Sequence, residues 1–273
     1  MIIHTPRVEF HCDVQGDIHS SIAPLVLLHG FTGNHHVWDT HRQKLKHPTI
    51  AIDLPGHGLS SFVEKIPEYS FQDWCDDFEF ILESLNLKHI HLLGYSMGGR
   101  LALSYALRYP QKITSLILES MNPGIKSIKL RELRYQSDLT LSKKISDDFP
   151  GFIKLWESHP LFKGHSKNQD EWEKLRDIRK NTNPEQLTIA LRTLSVGRQS
   201  NLWQDLKKMT FPVLVMTGEN DSNYSEIGLE IKNRLSKCQS ISIENSGHTP
   251  HLEQPDVFLG HIENWLINHN TIV

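Results

Sequence analysis

Three residue types that together can activate an oxygen occur along this chain in a usable order. Ser96 lies in Gly94-Tyr95-Ser96-Met97-Gly98, a G-x-S-x-G pentapeptide, Asp221 lies in "VLVMTGENDSNY", and His248 lies in "IENSGHTPHLEQP". A serine hydroxyl is neither nucleophile nor base until a histidine takes its proton, and the histidine needs an acid to orient it. The pentapeptide follows the apolar run "HIHLLGYS" (89–96) and opens the amphipathic stretch "MGGRLALSYALRYP", the setting of a tight strand-to-helix turn that lifts the hydroxyl above the strand ends. Gly94 and Gly98 lack the Cβ atoms that would clash in such a turn. Glu219 and Glu119 are rival acids and His251 a rival base; Asp221 and His248 are preferred because each lies just past a strand, deeper in its loop.

The turn also predicts an anion site. The Met97 N–H, at a helix N-terminus, is free to meet a developing oxyanion. A second donor is expected after "LVLLHG", where Phe31 offers its amide and a ring to wall the pocket. His29 reads as a brace for that loop, and "DLPGHG" (53–58) as scaffold in which His57 could play a supporting part.

Positioning these residues requires a sheet. Apolar runs recur at 24–30, 49–56, 89–96, 113–120, 211–218 and 240–245, several of them apolar at consecutive positions, as in strands covered on both faces. Helical spacing lies between them, for example Phe71, Trp74, Phe78, Ile81, Leu82 and Leu85. The alternation predicts an α/β fold with a mostly parallel central sheet flanked by helices. From 124 to 204 the chain turns charged and tryptophan-rich, with several short helices and no convincing strand. It is expected to form a helical cap inserted between the core segments 1–123 and 205–273, placed to act as a lid.

Composition narrows the partners. A net charge of −3 over 273 residues offers no field for nucleic acid or a membrane surface. No window reaches the roughly 18 apolar residues of a membrane span. Cys12, Cys75 and Cys238 are isolated and odd in number, which fits a reducing compartment, and the start "MIIHTPRVEF" has no secretory pattern, so a cytoplasmic protein is expected. Of the 17 histidines, His29, His35, His36 and His41 crowd into "HGFTGNHHVWDTH"; without a recognised ligand spacing they read as solvated surface residues, and no metal site is expected. A monomer or weak homo-oligomer is the expected state.

"LLHGF", "DLPGHG", "GYSMGG", "TGENDS" and "SGHTPHLE" together resemble the α/β-hydrolase superfamily across essentially the whole chain. That fold hosts many reactions. A narrower likeness comes from "GYSMGGR" with Tyr95 and Arg100, "ESMNPGI", and three cap positions: Arg134 in "RELRYQSD", Trp156 in "KLWESHPLF" and Arg179 in "LRDIRKNTNPEQL". This set is similar to the 2-succinyl-6-hydroxy-2,4-cyclohexadiene-1-carboxylate synthases of menaquinone biosynthesis. The resemblance implies a lyase that eliminates pyruvate from a tricarboxylate small molecule without a cofactor. It also implies that Tyr95, Arg100, Arg134, Trp156 and Arg179 bind substrate. Guanidinium groups suit carboxylates, and three arginines would meet three of them. Arg131, Arg176 and Arg192 are left as solvated helix residues. A serine carboxylesterase or C–C bond hydrolase needs only the triad and would leave the arginines unexplained. A receptor-like ligand-binding relative needs neither.

Overall fold

The structure is a computed structural model that describes residues 1–63, 68–162 and 169–270. Its first half contains β1 (Ile2–His4), β2 (Val8–Gln15), β3 (Leu25–Leu28), α1 (Asp39–Lys44), β4 (Thr49–Ile52), β5 (Ser61–Phe62), α2 (Phe71–Ser84), β6 (Ile90–Tyr95), α3 (Met97–Arg108) and β7 (Ile113–Glu119). Cap helices α4 (Ile128–Asp147), α5 (Phe149–Glu157), α6 (Gln169–Lys180) and α7 (Pro184–Thr193) follow. The chain then returns through β8 (Val213–Gly218), α8 (Ser222–Arg234), β9 (Cys238–Ile243), α9 (Pro250–Glu253) and α10 (Pro255–His269).

The six apolar runs become adjacent parallel strands in the order β4-β3-β6-β7-β8-β9. Consecutive burial along β3, β4, β6 and β8 explains why their sequences do not alternate: helices cover both faces. Alternate residues feed opposite cores. Val26, Leu28 and Leu92 pack with Trp74, Phe78, Leu101 and Tyr105 on one side, while Leu25, Leu27 and Leu93 pack with Trp38, Phe258 and Trp265 on the other. The expected α/β fold is therefore borne out. It is extended at the N-terminus by β1, β2 and β5, which pair antiparallel at the β4 edge and were not anticipated.

The register places Leu28 of β3 opposite Gly94 of β6, so the loop after β3 and the turn after β6 leave the sheet side by side. The cap has a small core of its own, Ile145, Phe152, Ile153, Leu187 and Leu191. Its last helix starts cleanly because the Asn183 side chain accepts from the Glu185 and Gln186 amides ahead of Pro184. No helix among the described residues is long and apolar enough to cross a membrane.

Candidate active site

Ser96 sits between β6 and α3 at φ 50° and ψ −105°, a left-handed conformation that costs about 1–3 kcal/mol in a residue with a side chain. Its neighbours make this possible. A Cβ on Gly94 would lie 2.4 Å from the Gly98 carbonyl oxygen, and one on Gly98 would lie 2.4 Å from the Leu28 oxygen and 2.5 Å from that of His29. The Gly98 amide donates to the His29 carbonyl at 3.1 Å, locking the turn to the loop after β3, and the Ser96 amide donates to Glu119 at 2.8 Å.

The structure brings Ser96, His248 and Asp221 together. The Ser96 hydroxyl is 3.2 Å from His248 Nε2 and is placed to donate to it, while His248 Nδ1 donates to Asp221 Oδ2 at 2.8 Å. Asp221 also caps α8, its Oδ1 accepting from the Tyr224 amide at 3.3 Å, so the acid is held from both sides. Its carboxylate fixes the tautomer that leaves Nε2 free to take a proton. The rivals are occupied elsewhere. Glu219 accepts from the Asn245 amide, and Glu119 accepts from both the amide and the ring Nδ1 of His251 deep under the site.

The Phe31 and Met97 amides lie on the paired loop and turn, and neither donates to another group among the described residues. The Phe31 ring meets Trp156 edge-on with 5.4 Å between centroids, and His57 at 5.6 Å, so it forms part of the wall. Tyr95 is buried with its ring 5.5 Å from that of His248 and 4.6 Å from that of His251; Gly30 must be glycine here, because a Cβ would lie 2.5 Å from the Tyr95 ring. Burial pushes the Tyr95 phenol well above its ordinary range.

A cavity of about 240 Å³ opens over Ser96, bounded among others by Phe31, Met97, Tyr95, His248, Trp156 and Tyr224. Arg100 from the core and Arg134 from the cap both line it, as does Asp138. Arg100 Nη1 donates to the Leu194 carbonyl at 3.0 Å and its guanidinium lies 5.6 Å from the centre of the Phe71 ring. Burial, reinforced by the like charge of Arg134, brings its pKa down to about 10. Arg134 Nε donates to Asp138 Oδ1 at 2.9 Å.

Arg179 departs from the expected convergence. It is 2% exposed and lines a smaller adjoining cavity with Phe31, Tyr95 and Phe162. The reason is local packing: its Nε donates to the Thr32 hydroxyl at 3.1 Å, and its guanidinium lies 5.0 Å from the Phe162 ring centre and 5.1 Å from that of Trp172. Trp156 Nε1 donates to the same Thr32 oxygen at 3.1 Å. Thr32, at φ 66° and fully buried, thus holds two cap side chains at once, a role that nothing in its sequence context signals. Of the three arginines left as solvated, Arg192 is exposed, but Arg131 and Arg176 are partly covered, Arg176 lying 5.4 Å from the Trp172 ring centre.

The histidine cluster also departs from expectation. His36 is exposed, but His29, His35 and His41 are buried. Asp53 is the cause for His35: its Oδ1 accepts from the His35 amide at 2.6 Å and ring Nδ1 at 2.9 Å, and its Oδ2 accepts from the Leu59 amide at 2.9 Å. Burial pushes the Asp53 carboxyl up, but these bonds and the nearby imidazoles outweigh it and bring the pKa down to about 2. His29 braces the loop as expected, donating from Nδ1 to the Gly30 carbonyl at 2.8 Å and accepting at Nε2 from the Leu54 amide at 2.9 Å. Among the described residues, His11, His35 and Asp53 have ligand atoms within 4.8 Å of one another, close enough to consider a cation. Asp53 is already engaged by two amides and a ring, so the group reads as a brace beneath the loop after β3.

The comparisons with known proteins agree with this architecture. A sequence profile of the alpha/beta hydrolase fold matches residues 23–255. A protein of Bacillus subtilis (strain 168), provisionally named 2-succinyl-6-hydroxy-2,4-cyclohexadiene-1-carboxylate synthase, is 34% identical over 237 residues, covering 86% of each chain. An Enterobacter protein (strain 638) carrying that synthase name is 30% identical over 233 residues, 85% of this chain and 86% of its own. The solved structure of MenH from S. aureus superposes with a TM-score of 0.89 at 30% identity, over 97% of this chain and 99% of that one. A thermophilic esterase from Thermogutta terrifontis reaches 0.84 at 26% identity, over 99% and 97%. With the fold profile matched over most of its length and relatives at 30–34% identity over 85–86% of each chain, the chain belongs to the α/β-hydrolase fold and, within it, to the family of the 2-succinyl-6-hydroxy-2,4-cyclohexadiene-1-carboxylate synthases.

Proposed function

We propose that this chain is a carbon–oxygen lyase that eliminates pyruvate from 2-succinyl-5-enolpyruvyl-6-hydroxy-3-cyclohexene-1-carboxylate, giving 2-succinyl-6-hydroxy-2,4-cyclohexadiene-1-carboxylate, in the cytoplasm. The observation that carries the reading is that Arg100 and Arg134, one from the core and one from the cap, line the same cavity as Ser96. The triad chemistry of an ester hydrolase does not itself call for two guanidinium groups over the serine, whereas a substrate bearing three carboxylates gives both of them partners.

His248, oriented by Asp221, takes the Ser96 proton, and the serine oxygen removes the ring proton α to the succinyl carbonyl. Electrons from that C–H bond form the C2=C3 double bond, the ring double bond shifts to C4=C5, and the C5–O bond breaks. The departing enolpyruvate gains a proton on carbon to become pyruvate. Charge develops on the succinyl carbonyl oxygen, where the Phe31 and Met97 amides supply the hole; one such donor is typically worth about 10²-fold or more in rate. Arg100 and Arg134 anchor carboxylates. Arg179, bound to Thr32, holds the wall through which Trp156 reaches the cavity, so its contribution in this conformation is indirect.

The test is a continuous assay of diene absorbance with the enolpyruvyl substrate, run beside short-chain nitrophenyl esters. Diene formation lost in Ser96→Ala and strongly reduced in Arg134→Ala supports the reading. Rapid ester turnover, an untouched enolpyruvyl substrate and a silent Arg100→Ala would replace it with the carboxylesterase reading.

A further inference from the structure

We propose that Asp138, held by Ser195, is a positioning residue that presents Arg134 to an anionic ligand, and that the Leu194–Ser195 turn thereby fixes the spacing of the Arg100–Arg134 pair. The proposal rests on the carboxylate-anchoring reading above and deepens it.

Consecutive residues of one turn reach both arginines. The Leu194 carbonyl accepts from Arg100 Nη1 at 3.0 Å, while the Ser195 hydroxyl donates to Asp138 Oδ2 at 2.6 Å, and Asp138 Oδ1 accepts from Arg134 Nε at 2.9 Å. The Ser195 oxygen is itself fixed, accepting from the Gly197 amide at 2.9 Å. The backbone around the turn has little slack: a Cβ on Gly197 would lie 2.6 Å from the Tyr135 nitrogen and 2.7 Å from the Arg131 oxygen of α4. The helix that carries Arg134 therefore lies directly on the turn that holds Arg100.

A surface ion pair four residues apart on a helix fixes little, and the Arg134 side chain is 51% exposed. Its acceptor is different, because the Asp138 side chain is 4% exposed and already anchored to Ser195. Binding through Nε alone leaves the two Nη groups, which donate to nothing else among the described residues, as a fork for a carboxylate. The cost is a negative charge in the wall of a cavity meant for anions. Electrostatics alone says that removing that charge tightens anion binding; positioning says that it weakens it, so the two accounts make opposite predictions.

The experiment measures tricarballylate binding by calorimetry, together with kcat and KM on the enolpyruvyl substrate, for wild type, Asp138→Asn, Ser195→Ala, Arg134→Ala and the Asp138→Asn/Arg134→Ala double variant. The proposal expects Asp138→Asn to raise the tricarballylate Kd and the KM five- to tenfold with kcat within twofold, and Ser195→Ala to follow in the same direction. The double variant should be no weaker than Arg134→Ala, since Asp138 acts through that arginine. Melting curves check folding, and if Asp138→Asn unfolds, Ser195→Ala carries the test. Equal or tighter binding by both Asp138→Asn and Ser195→Ala, additive losses in the double variant, or a wild type that binds neither probe nor substrate overturns the proposal. Probe binding that follows the expected pattern without pyruvate elimination would remove the lyase reading alone, and elimination with Asp138→Asn unaffected would remove the positioning role alone.

Discussion

Arg100 reaches across from the first turn of α3 to the Leu194 carbonyl at the end of cap helix α7, 3.0 Å away, so a core residue beside the elbow reports on where the cap sits. Replacing it by lysine keeps a charge but gives up the planar fork. Arg100→Lys is expected to raise KM at least tenfold with a smaller change in kcat, read from steady-state kinetics. Burial pulls the Arg100 pKa down, but a guanidinium keeps its charge across the working pH range, so the anchor is not switched off by pH.

Ser96 pays for its exposed hydroxyl in backbone strain, at φ 50°. Glycine tolerates this conformation, so Ser96→Gly should abolish elimination while raising the melting temperature. About 1 kcal/mol of relieved strain would correspond to roughly 2–4 °C in a protein approaching this size. Differential scanning fluorimetry decides it; a lowered melting temperature would mean that the strain account of the elbow is wrong.

Thr32 accepts from Trp156 and Arg179 with one oxygen. Thr32→Val preserves the branched shape and removes the acceptor from both donors, the second a buried cation left with the Glu157 carboxylate 3.8 Å away. A loss on the order of 1.5–3 kcal/mol is expected for hydrogen bonds to charged groups. Urea denaturation should show that loss in Thr32→Val and much less in Thr32→Ser, and kcat should fall with it as the Phe31–Trp156 wall loosens.

Burial disfavours the cation at His29, His41, His57 and His91, and in the same direction at His47. Burial, first among the causes, brings His29 to a pKa of about 4 and His41, His57 and His91 to about 3. Between those values and the ordinary 6.5 the unfolded chain binds protons that the folded chain refuses, so stability is full above pH 6.5 and is lost as pH falls through the window. Each contributes a slope of about 1.4 kcal/mol per pH unit there. Chemical denaturation at pH 7 and pH 5 should show a marked loss at pH 5, and replacing His91, remote from the cavity, by glutamine should flatten the slope.

Gly98→Ala would drive a methyl group into two carbonyl oxygens of the oxyanion loop. Little folded protein is expected, and what folds should have lost far more kcat than affinity for tricarballylate. Circular dichroism and binding on the same sample separate the two effects.

The sheet and the elbow were readable because their signals are local: apolar runs bounded by glycine, and a pentapeptide whose small residues answer to a turn. The antiparallel edge was missed because β2, "VEFHCDVQ", mixes polar residues into a strand with only one well-buried face. The burial of His35 depends on Asp53, 18 positions away, and could not be seen in the crowded "GNHHVWDTH". Thr32 and Ser195 carry no composition signal, since a hydroxyl's importance depends on what folds over it. Asp138 had one available clue, its four-residue spacing from Arg134 on a helix, which is too common to single out.

Leu28 and Gly94 face each other across β3 and β6, and the two amides of the proposed oxyanion hole belong to the residues three places beyond each. The hole is thus a by-product of strand alignment: sliding one strand by a single residue would move its donor about 3.3 Å, further than a hydrogen bond can stretch. The apolar packing that folds the sheet is therefore also what keeps its chemistry in gauge, with the glycines and His29 of the adjoining loop and turn holding the last few ångströms.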